Sequence, residues 1–487
     1  MQLAKQVIFQ ARLREDEPAV ATTTAIASYR VLAKSVEAAV TRLAEFGLDN
    51  ASMVIIDVAH PLHHLYLILG LSLLGVPSAS LSGNGGPLPD AGPQPNLVLT
   101  DAERSDLGSI RATKIDASFF ASNPQPPVDY AKLLSLPDLR LDQVLRYVFS
   151  SGTTGRRKCV AHTVERIGRT VSGNVAISSG RHGRNSAAIS LMDFSTSPGN
   201  LTPYQVLSQG GLMCLAQTSA ATADLIRLFG VESLKASIGQ LRPLLEYLRG
   251  RAPLSSLRSI QVTGARMPLR LLAEIRAKLC PDVTFFYGST EMEAVAVGTG
   301  GVLEREEGCV GYVLPGVALE VVDDADRPVA AGQAGKVRVR PQRQPFYVGR
   351  AGERIAALRD DGWFYPGDTA RLYPDGRLVI LGRSGDIINR GGVIIDPEMI
   401  EEAFRRDSRI RDLAAVNMPA RHGMDEVWLA IVTDAEIDLV GMRAAAASTL
   451  REATPDRIVR VGAIPRNENS KVQRFKLREQ LQALLAP

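Results

Sequence analysis

The segment Tyr147-Val-Phe-Ser-Ser-Gly-Thr-Thr-Gly-Arg-Arg-Lys158 joins an apolar run to a loop of small and hydroxyl-bearing residues. The apolar run predicts a strand, and the loop after it ends in three cationic residues. Because the loop side chains are small, backbone N–H groups can approach an anion closely, and hydroxyls and lysine add donors. The spacing is not that of a Walker loop, which argues against a P-loop NTPase. The segment predicts a polyphosphate site. Taken by itself, it leaves a flexible surface loop open as the alternative.

Further short blocks follow this loop in a fixed order. They are Tyr287-Gly-Ser-Thr-Glu291, Gly362-Trp-Phe-Tyr-Pro-Gly-Asp368, Gly382-Arg-Ser-Gly-Asp386 and Asn469-Ser-Lys471. In this order the blocks resemble the acyl-adenylate-forming superfamily, which includes acyl-CoA synthetases, peptide-synthetase adenylation domains and beetle-type luciferases. The resemblance extends over essentially the whole chain.

Length and composition restrict the class of protein. At 487 residues the chain exceeds what one hydrophobic core usually supports, so at least two domains are expected. Hydrophobic residues make up 45% and charged residues 22%, as in ordinary soluble domains. The net charge of +4, from 56 basic and 52 acidic residues, argues against a nucleic-acid partner.

The cysteines and the apolar segments predict a cytoplasmic protein. The 4 cysteines lie far apart, which is typical of a reducing compartment. Cys159 could be taken for a nucleophile beside the loop, but a small core residue is the favoured interpretation. No signal peptide is expected, and the apolar segment Leu65–Val76 ends at Pro77, short of the ~20 residues that span a bilayer. The oligomeric state is not predicted.

The pattern of elements predicts an α/β protein. Strands alternate with helices between residues 52 and 290, which favours mainly parallel sheets with ligands beyond the carboxyl ends of the strands. Turn-separated strands between 308 and 382 predict an antiparallel subdomain. We expect a large N-terminal domain (1–383) of two such parallel sheets plus this subdomain, and a small mobile α+β domain (384–487).

Local signals support the smaller domain. Asp396-Pro397-Glu398 predicts a capped helix start, with Asp as the N-cap and Pro at the first helical position. Leu477, Leu481 and Leu484 are spaced to share one face of a terminal helix.

The resemblance implies roles for the residues that match the family blocks. The predicted phosphate-binding residues are Ser150, Ser151, Gly152, Thr153, Thr154, Gly155 and Lys158. Thr290 would donate to the α-phosphate of ATP, and the Glu291 carboxylate would hold Mg²⁺, which prefers oxygen ligands and phosphates. ATP and Mg²⁺ are therefore the expected cosubstrate and metal.

A second set is implied for adenosine and for catalysis. The predicted adenine and ribose residues are Gly264, Ala265, Arg266, Tyr287, Gly288, Asp368 and Arg383. Tyr287 either packs on adenine or is a core tyrosine. Lys471 matches the lysine that reaches the carboxylate and phosphate oxygens during adenylation, and a point charge on a long stem suits that task.

The thiol and acid sites are less defined. The C-terminal domain is expected to rotate at Gly385 and to expose a tunnel for a pantetheine thiol at Gly391 and Gly392, although turn glycines are an equal alternative. The predicted acid pocket contains Asp193, Phe194 and Gly199. Asp193 could hold an amino group of the substrate or serve as a structural aspartate at a strand end.

Some positions depart from the family pattern. Arg157 replaces a proline, Ser470 replaces a glycine, and Gly385 replaces the hinge aspartate or lysine. The favoured function is an ATP-dependent acid–thiol ligase that forms acyl-AMP and then an acyl thioester, with coenzyme A as the expected acceptor. The alternatives are an enzyme that loads a separate carrier protein and a silent nucleotide-binding module.

Overall fold

The computed structural model describes residues 2–81, 87–121, 127–151, 157–178, 186–264, 267–341, 345–386, 388–390, 393–419, 425–466 and 471–484. Several residues singled out in the sequence lie outside these ranges: Gly152, Thr153, Thr154, Gly155, Ala265, Arg266, Gly391, Gly392 and Ser470. The side chains of Ser151 and Arg157 are likewise not described.

The α-helices of the described ranges are distributed over the whole chain. They are α1 (Leu3–Leu13), α2 (Tyr29–Ala44), α3 (Pro61–Leu74), α4 (Tyr130–Ser135), α5 (Val164–Ser178), α6 (Ser197–Leu207), α7 (Ser219–Phe229), α8 (Ile238–Tyr247), α9 (Leu269–Lys278), α10 (Pro397–Phe404), α11 (Leu439–Leu450) and α12 (Arg474–Ala483). Short 3₁₀ turns lie at Ala117–Phe120, Gly300–Glu304 and Arg451–Ala453.

The strands of the described ranges alternate with these helices in the first half and follow one another later. They are β1 (Pro18–Ala21), β2 (Ile26–Ser28), β3 (Val54–Asp57), β4 (Ser78–Ser80), β5 (Leu97–Thr100), β6 (Arg111–Lys114), β7 (Val144–Ser151), β8 (Arg157–Thr163), β9 (Ala187–Ser190), β10 (Leu212–Cys214), β11 (Ser233–Ser237), β12 (Ser259–Thr263), β13 (Val283–Ser289), β14 (Glu293–Thr299), β15 (Cys309–Val313), β16 (Ala318–Val322), β17 (Ala334–Arg340), β18 (Phe346–Val348), β19 (Arg354–Ala356), β20 (Asp368–Leu372), β21 (Arg377–Arg383), β22 (Ile388–Arg390), β23 (Val393–Ile395), β24 (Asp412–Pro419), β25 (Asp425–Val432) and β26 (Arg457–Arg460).

The larger sheet has 13 strands within the described residues, in the order β16-β17-β20-β21-β15-β14-β13-β12-β11-β9-β10-β1-β2. Its centre is parallel from β10 through β9, β11 and β12 to β13, and the pairing becomes antiparallel from β14 onward. The antiparallel part predicted between 308 and 382 thus continues the parallel sheet through the β13–β14 hairpin.

The second large sheet has 8 strands within the described residues, in the order β19-β18-β8-β7-β4-β3-β5-β6. β3, β4, β5, β6 and β7 pair in parallel, whereas β7 and β8 form an antiparallel hairpin. The predicted phosphate loop connects these last two strands, so it lies at the carboxyl end of β7. The expected α/β fold is confirmed, but both large sheets are mixed, since each joins a parallel part to antiparallel strands.

The C-terminal part packs its own core. β24, β25 and β26 form a sheet against α10, α11 and α12, and its hydrophobic clusters are built from residues after 387. Asp396 accepts a hydrogen bond from the Glu398 backbone N–H at 2.9 Å, which confirms the predicted cap of α10. Leu477 and Leu481 are fully buried on one face of α12, whereas Leu484 is 59% exposed, so the predicted shared face holds for the first two leucines. α12 ends at Ala483, and Leu484 lies beyond it.

The most apolar helix, α3, is apolar all round and is buried along most of its length, as expected of an internal helix. Pro61 occupies its first turn, and Gly75 ends it in the left-handed region with φ 69°. Among the helices of the described ranges, none is both long and apolar enough to cross a lipid bilayer.

Candidate active site

A cavity of about 960 Å³ lies between the carboxyl ends of the parallel strands in the two large sheets and the C-terminal domain. We call it the central cavity. Its walls include most of the described residues predicted for ATP, namely Ser150, Lys158, Gly264, Gly288, Thr290, Glu291, Arg383 and Lys471. Residues more than 300 positions apart in the chain thus meet in one space large enough for a nucleotide and an acid.

The described edge of the phosphate loop is anchored by the β7–β8 hairpin. Ser150 and Lys158 face each other in its register, so both side chains are held beside the loop. The Ser150 hydroxyl donates a hydrogen bond of 2.9 Å to Oε1 of Glu291. The predicted phosphate and magnesium residues are therefore in direct contact.

Glu291 lies in the tight connection between β13 and β14. A Cβ atom built on Gly288 would lie 1.8 Å from the Glu293 carbonyl oxygen, so only glycine fits there. Glu293 itself has φ 61°, a strained value for a residue with a side chain. The sequence Gly-Ser-Thr-Glu thus forms a turn that points Thr290 and Glu291 into the central cavity.

Arg166 of α5 fixes this turn, although no sequence pattern predicts its role. Its guanidinium donates to the backbone carbonyls of Thr290 and Glu291 and forms an ion pair of 2.8 Å with Glu293. These contacts tie the hairpin to the helix that follows β8. Arg166 belongs to no recognised block, and one arginine on a polar helix carries no spacing signal.

Tyr347 of β18 is a second residue that sequence reasoning missed. Its hydroxyl lies 3.5 Å from Oε1 of Glu291, and the Lys158 ammonium lies 4.7 Å from the centre of its ring. Burial and the Glu291 charge raise the pKa of Tyr347, so the hydroxyl remains protonated and can donate. Tyr347 therefore links the predicted phosphate lysine to the predicted magnesium carboxylate.

Asp368 and Arg383 face each other on the paired strands β20 and β21. The Arg383 Nε lies 3.0 Å from Oδ1 of Asp368, and the Tyr287 hydroxyl donates to Oδ2 at 2.7 Å. Burial and the Asp368 charge raise the pKa of Tyr287, which keeps it a donor. Tyr287 is buried in the hydrophobic core, as the core-tyrosine alternative expected. Its contribution to adenine binding stays a prediction.

Lys471 lines the central cavity from the C-terminal domain. Burial lowers its pKa, the Arg383 charge lowers it further, and Asp368 acts in the opposite direction. Arg383 lines the same cavity. The lysine predicted for adenylation and an arginine predicted for the ribose thus face one cavity.

The residues predicted for the acid pocket have a different environment from the other predicted site residues. Among the described residues, Asp193, Phe194 and Gly199 are absent from the wall of the central cavity, whereas residues 195–198 are part of it. The Asp193 carboxylate accepts a hydrogen bond of 2.7 Å from the Ser195 backbone N–H. Phe194 packs against His64, with ring centres 4.9 Å apart. A Cβ atom on Gly199 would lie 1.9 Å from the Asp193 carbonyl oxygen. Their role toward the acid stays a prediction.

The surroundings of Gly385 leave room for a side chain. The Gly385 carbonyl accepts a hydrogen bond of 3.0 Å from Arg478 of α12, and a Cβ atom there would meet nothing within 4 Å. Its present conformation therefore does not require glycine.

Cys159 is buried, and burial raises the pKa of its thiol to about 12, which fits a core residue and not a nucleophile.

Comparison with known proteins agrees with this geometry. A family model described as AMP-binding enzyme matches residues 94–344. The chain is 27% identical over 421 residues to indoleacetate–CoA ligase of Aromatoleum aromaticum, covering 79% of this chain and 78% of the relative. It is 27% identical over 423 residues to the medium/long-chain-fatty-acid–[acyl-carrier-protein] ligase FadD10 of Mycobacterium tuberculosis, covering 78% and 74%.

The fold has a counterpart among solved structures. O-succinylbenzoate coenzyme A synthetase of Bacillus subtilis, solved with ATP and a magnesium ion, superposes with a TM-score of 0.78. The two chains are 18% identical, and the match covers 97% of this chain and 99% of the other. The family model covers more than half of the sequence. The chain belongs to the AMP-binding enzyme family and so to the acyl-adenylate-forming superfamily.

Proposed function

We propose that the protein is an ATP-dependent acid–thiol ligase. It activates a carboxylic acid as acyl-AMP with release of pyrophosphate, and then forms an acyl thioester, with coenzyme A as the acceptor. The observation that supports this most strongly is the central cavity, where Glu291, Arg383 and Lys471 converge from separate parts of the chain.

The chemistry requires two anions to approach each other. In the first step a carboxylate oxygen of the acid bonds to the α-phosphorus of ATP, and the bond from that phosphorus to the departing pyrophosphate breaks. Cationic groups and fixed donors lower the barrier because they stabilise the charge that develops there. We assign this task to Lys471, Thr290 and Lys158, which line the central cavity.

The residues present fit ATP and Mg²⁺. Glu291 offers a carboxylate oriented by Ser150 and Tyr347, and magnesium bound to ATP typically needs one or two protein carboxylates besides phosphates and water. A bound Mg²⁺ would offset phosphate charge. Asp368 is positioned by Tyr287 and Arg383, so its carboxylate can accept hydrogen bonds from ribose hydroxyls.

The second step replaces AMP by a thiol. The sulfur bonds to the acyl carbon, the bond between that carbon and the AMP oxygen breaks, and the thiol proton passes to solvent. We propose that residues 384–487 rotate about Gly385 between the two steps, with Gly391 and Gly392 lining the thiol path. The orientation described, with Lys471 in the cavity and Arg242 3.1 Å from Glu402, suits adenylation.

A carrier-protein acceptor is the second candidate. FadD10 is a ligase that uses an acyl-carrier protein, and it matches this chain as well as the coenzyme A ligase does in identity and coverage. A phosphopantetheine arm would reach the cavity in either case. We further propose a reducing location such as the cytoplasm, because Cys159, Cys214 and Cys309 form no disulfide within the described residues.

Pyrophosphate exchange tests the proposal. Purified protein is incubated with ATP, Mg²⁺, labelled pyrophosphate and a panel of carboxylic acids, and label entering ATP is measured. We expect exchange that depends on the acid. Absence of exchange with every acid would leave a silent nucleotide-binding module as the better account. Once an acid is found, free coenzyme A should yield acyl-CoA, and failure at that stage would favour the carrier protein.

A further inference from the structure

Lys235 is a buried cation in the middle of β11. Its residue is 9% exposed, and its ammonium has one hydrogen-bond contact, at 3.5 Å, with the side-chain oxygen of Gln205 in α6. Within the part of the chain that the structure describes, no carboxylate forms an ion pair with it. Burial lowers the pKa of Lys235 to about 8, so the group is still mostly charged at neutral pH.

A buried charge without an ion-pair partner among the described residues is costly to the folded protein, which raises the question of what the charge serves. Lys235 is part of the wall of the central cavity. It is therefore accessible to a bound ligand although it is shielded from bulk solvent.

The strands around Lys235 carry a row of polar side chains. Lys235 pairs in register with Ser190 of β9 on one side and with Gln261 of β12 on the other, and Gln261 pairs with Thr284 of β13. Neighbouring positions on the same strands, such as Leu234 and Ala236, belong to the hydrophobic core. The polar row therefore occupies one face of the sheet, the face on the side of α6.

The row lies deeper than the predicted nucleotide site. Ser237 and Thr263 are the last residues of β11 and β12, and they line the cavity next to Gly264. Lys235 precedes Ser237 by two residues, which places it about 7 Å further from the carboxyl ends of the strands. A carboxylate that reacts near Thr290 and Lys471 would thus direct the far end of its acyl group toward Lys235.

We propose that Lys235 selects acids that carry a second carboxylate, which it binds at the end of the pocket away from the reacting group. The wall of the central cavity is partly apolar, with Met192, Leu201 and Ile238, which suits the carbon skeleton of a dicarboxylic acid. This inference rests on the proposed acid-activating function. A second carboxylate bound there would compensate the charge of the buried ammonium.

Matched pairs of acids test the proposal. The pairs are hexanoate with hexanedioate, octanoate with octanedioate, and benzoate with benzene-1,4-dicarboxylate, each assayed by pyrophosphate exchange. A hydrogen bond to a charged group predicts a preference in kcat/KM of about 10- to 100-fold for the diacid of at least one pair. Lys235→Met should abolish that preference, and Lys235→Arg should keep part of it. The exposed Lys132→Met serves as the control and should change neither value.

Thermal unfolding of the ligand-free protein separates selection from structure. If the charge serves a ligand, Lys235→Met should melt at the same temperature as the wild type or higher, because a buried charge is removed. A lower melting temperature with unchanged acid preference would overturn the proposal. Exchange with monoacids but no diacid preference in the wild type would also overturn it and leave the proposed function standing. No exchange with any acid would overturn both.

Discussion

Single side chains of the central cavity derive their chemistry from specific neighbours. Glu291 is oriented by Ser150 and Tyr347, and Asp368 is held by Tyr287 and Arg383. Lys471 comes from the C-terminal domain, and its pKa is lowered by burial and by Arg383. Substitutions at these positions should therefore affect separate steps of the reaction.

Lys471→Ala should slow adenylation far more than thioester formation from supplied acyl-AMP. The lysine is expected to neutralise charge only while the acid meets ATP, and loss of such a contact costs roughly 100-fold or more in rate. Pyrophosphate exchange measures the first step, and acyl-CoA formation from synthetic acyl-AMP measures the second. Lys132→Ala on the surface is the control. Equal losses in both assays would contradict the assigned role.

Glu291→Gln should raise the Mg²⁺ concentration needed for half-maximal exchange. The amide retains the shape of the side chain and can still contact Ser150, but it removes the charge that attracts a divalent cation. We expect exchange at saturating ATP to fall by about 100-fold, as when other charge-stabilising groups are lost. The exposed Asp324→Asn should leave the Mg²⁺ titration as in the wild type. An unchanged titration for Glu291→Gln would refute the metal assignment.

At the scale of elements, the β13–β14 hairpin positions Thr290 and Glu291. It depends on Gly288, on the strained Glu293 and on the anchoring contacts of Arg166. Strain held by neighbouring contacts is common where a backbone must present side chains to a ligand. The hairpin should be sensitive to small changes that leave the side chains of the site intact.

Gly288→Ala should destabilise the protein and reduce exchange, because its Cβ would collide with the Glu293 carbonyl oxygen. Overpacking of this kind typically costs about 1–3 kcal/mol. Gly301→Ala is the matched control, since a Cβ there meets nothing within 4 Å. Thermal melting and exchange are measured for both variants. Similar melting temperatures for the two would argue against a packed hairpin.

Sequence reasoning identified the elements whose signal is local. The strand before Ser150, the strand before Gly288 and the cap at Asp396 all have a pattern of adjacent residues, and the structure places them as expected. The roles of Arg166 and Tyr347 could not be predicted, because they come from contacts with residues more than 50 positions away in the chain. No periodicity or turn residue marks such contacts in advance.

The acid pocket shows the same limit of prediction from local sequence patterns. The family resemblance predicts Asp193 as a group for a substrate amino group, with a structural aspartate as the alternative, and its carboxylate is bonded to the adjacent backbone. No motif in the sequence marks Lys235, since it is a single lysine in an apolar strand. Its significance depends on the absence of a carboxylate partner among the described residues, which only a three-dimensional arrangement can show.

Two parts of the chain enclose the central cavity. The segment around Gly385 connects them, and its carbonyl contacts Arg478 of the terminal helix. If the C-terminal domain rotates between the two steps, the backbone at this position must take up a second conformation. Glycine allows the widest choice of backbone angles.

Gly385→Pro should therefore slow the overall reaction by restricting this change, with thioester formation affected more than adenylation. Gly385→Ala is the control, because a Cβ fits at this position in the conformation described. Single-turnover measurements of both half-reactions, with the same acid and coenzyme A, compare the two variants. If Gly385→Pro leaves both half-reactions unchanged, the hinge assignment is wrong.

The convergence of distant segments on one nucleotide is tested most directly by a crystal structure with a non-hydrolysable acyl-AMP analogue, an acylsulfamoyl adenosine. We predict ribose hydroxyls within hydrogen-bond distance of Asp368, and the sulfamoyl group between Thr290 and Lys471. An analogue bound outside the central cavity, or one that contacts none of these residues, would contradict it.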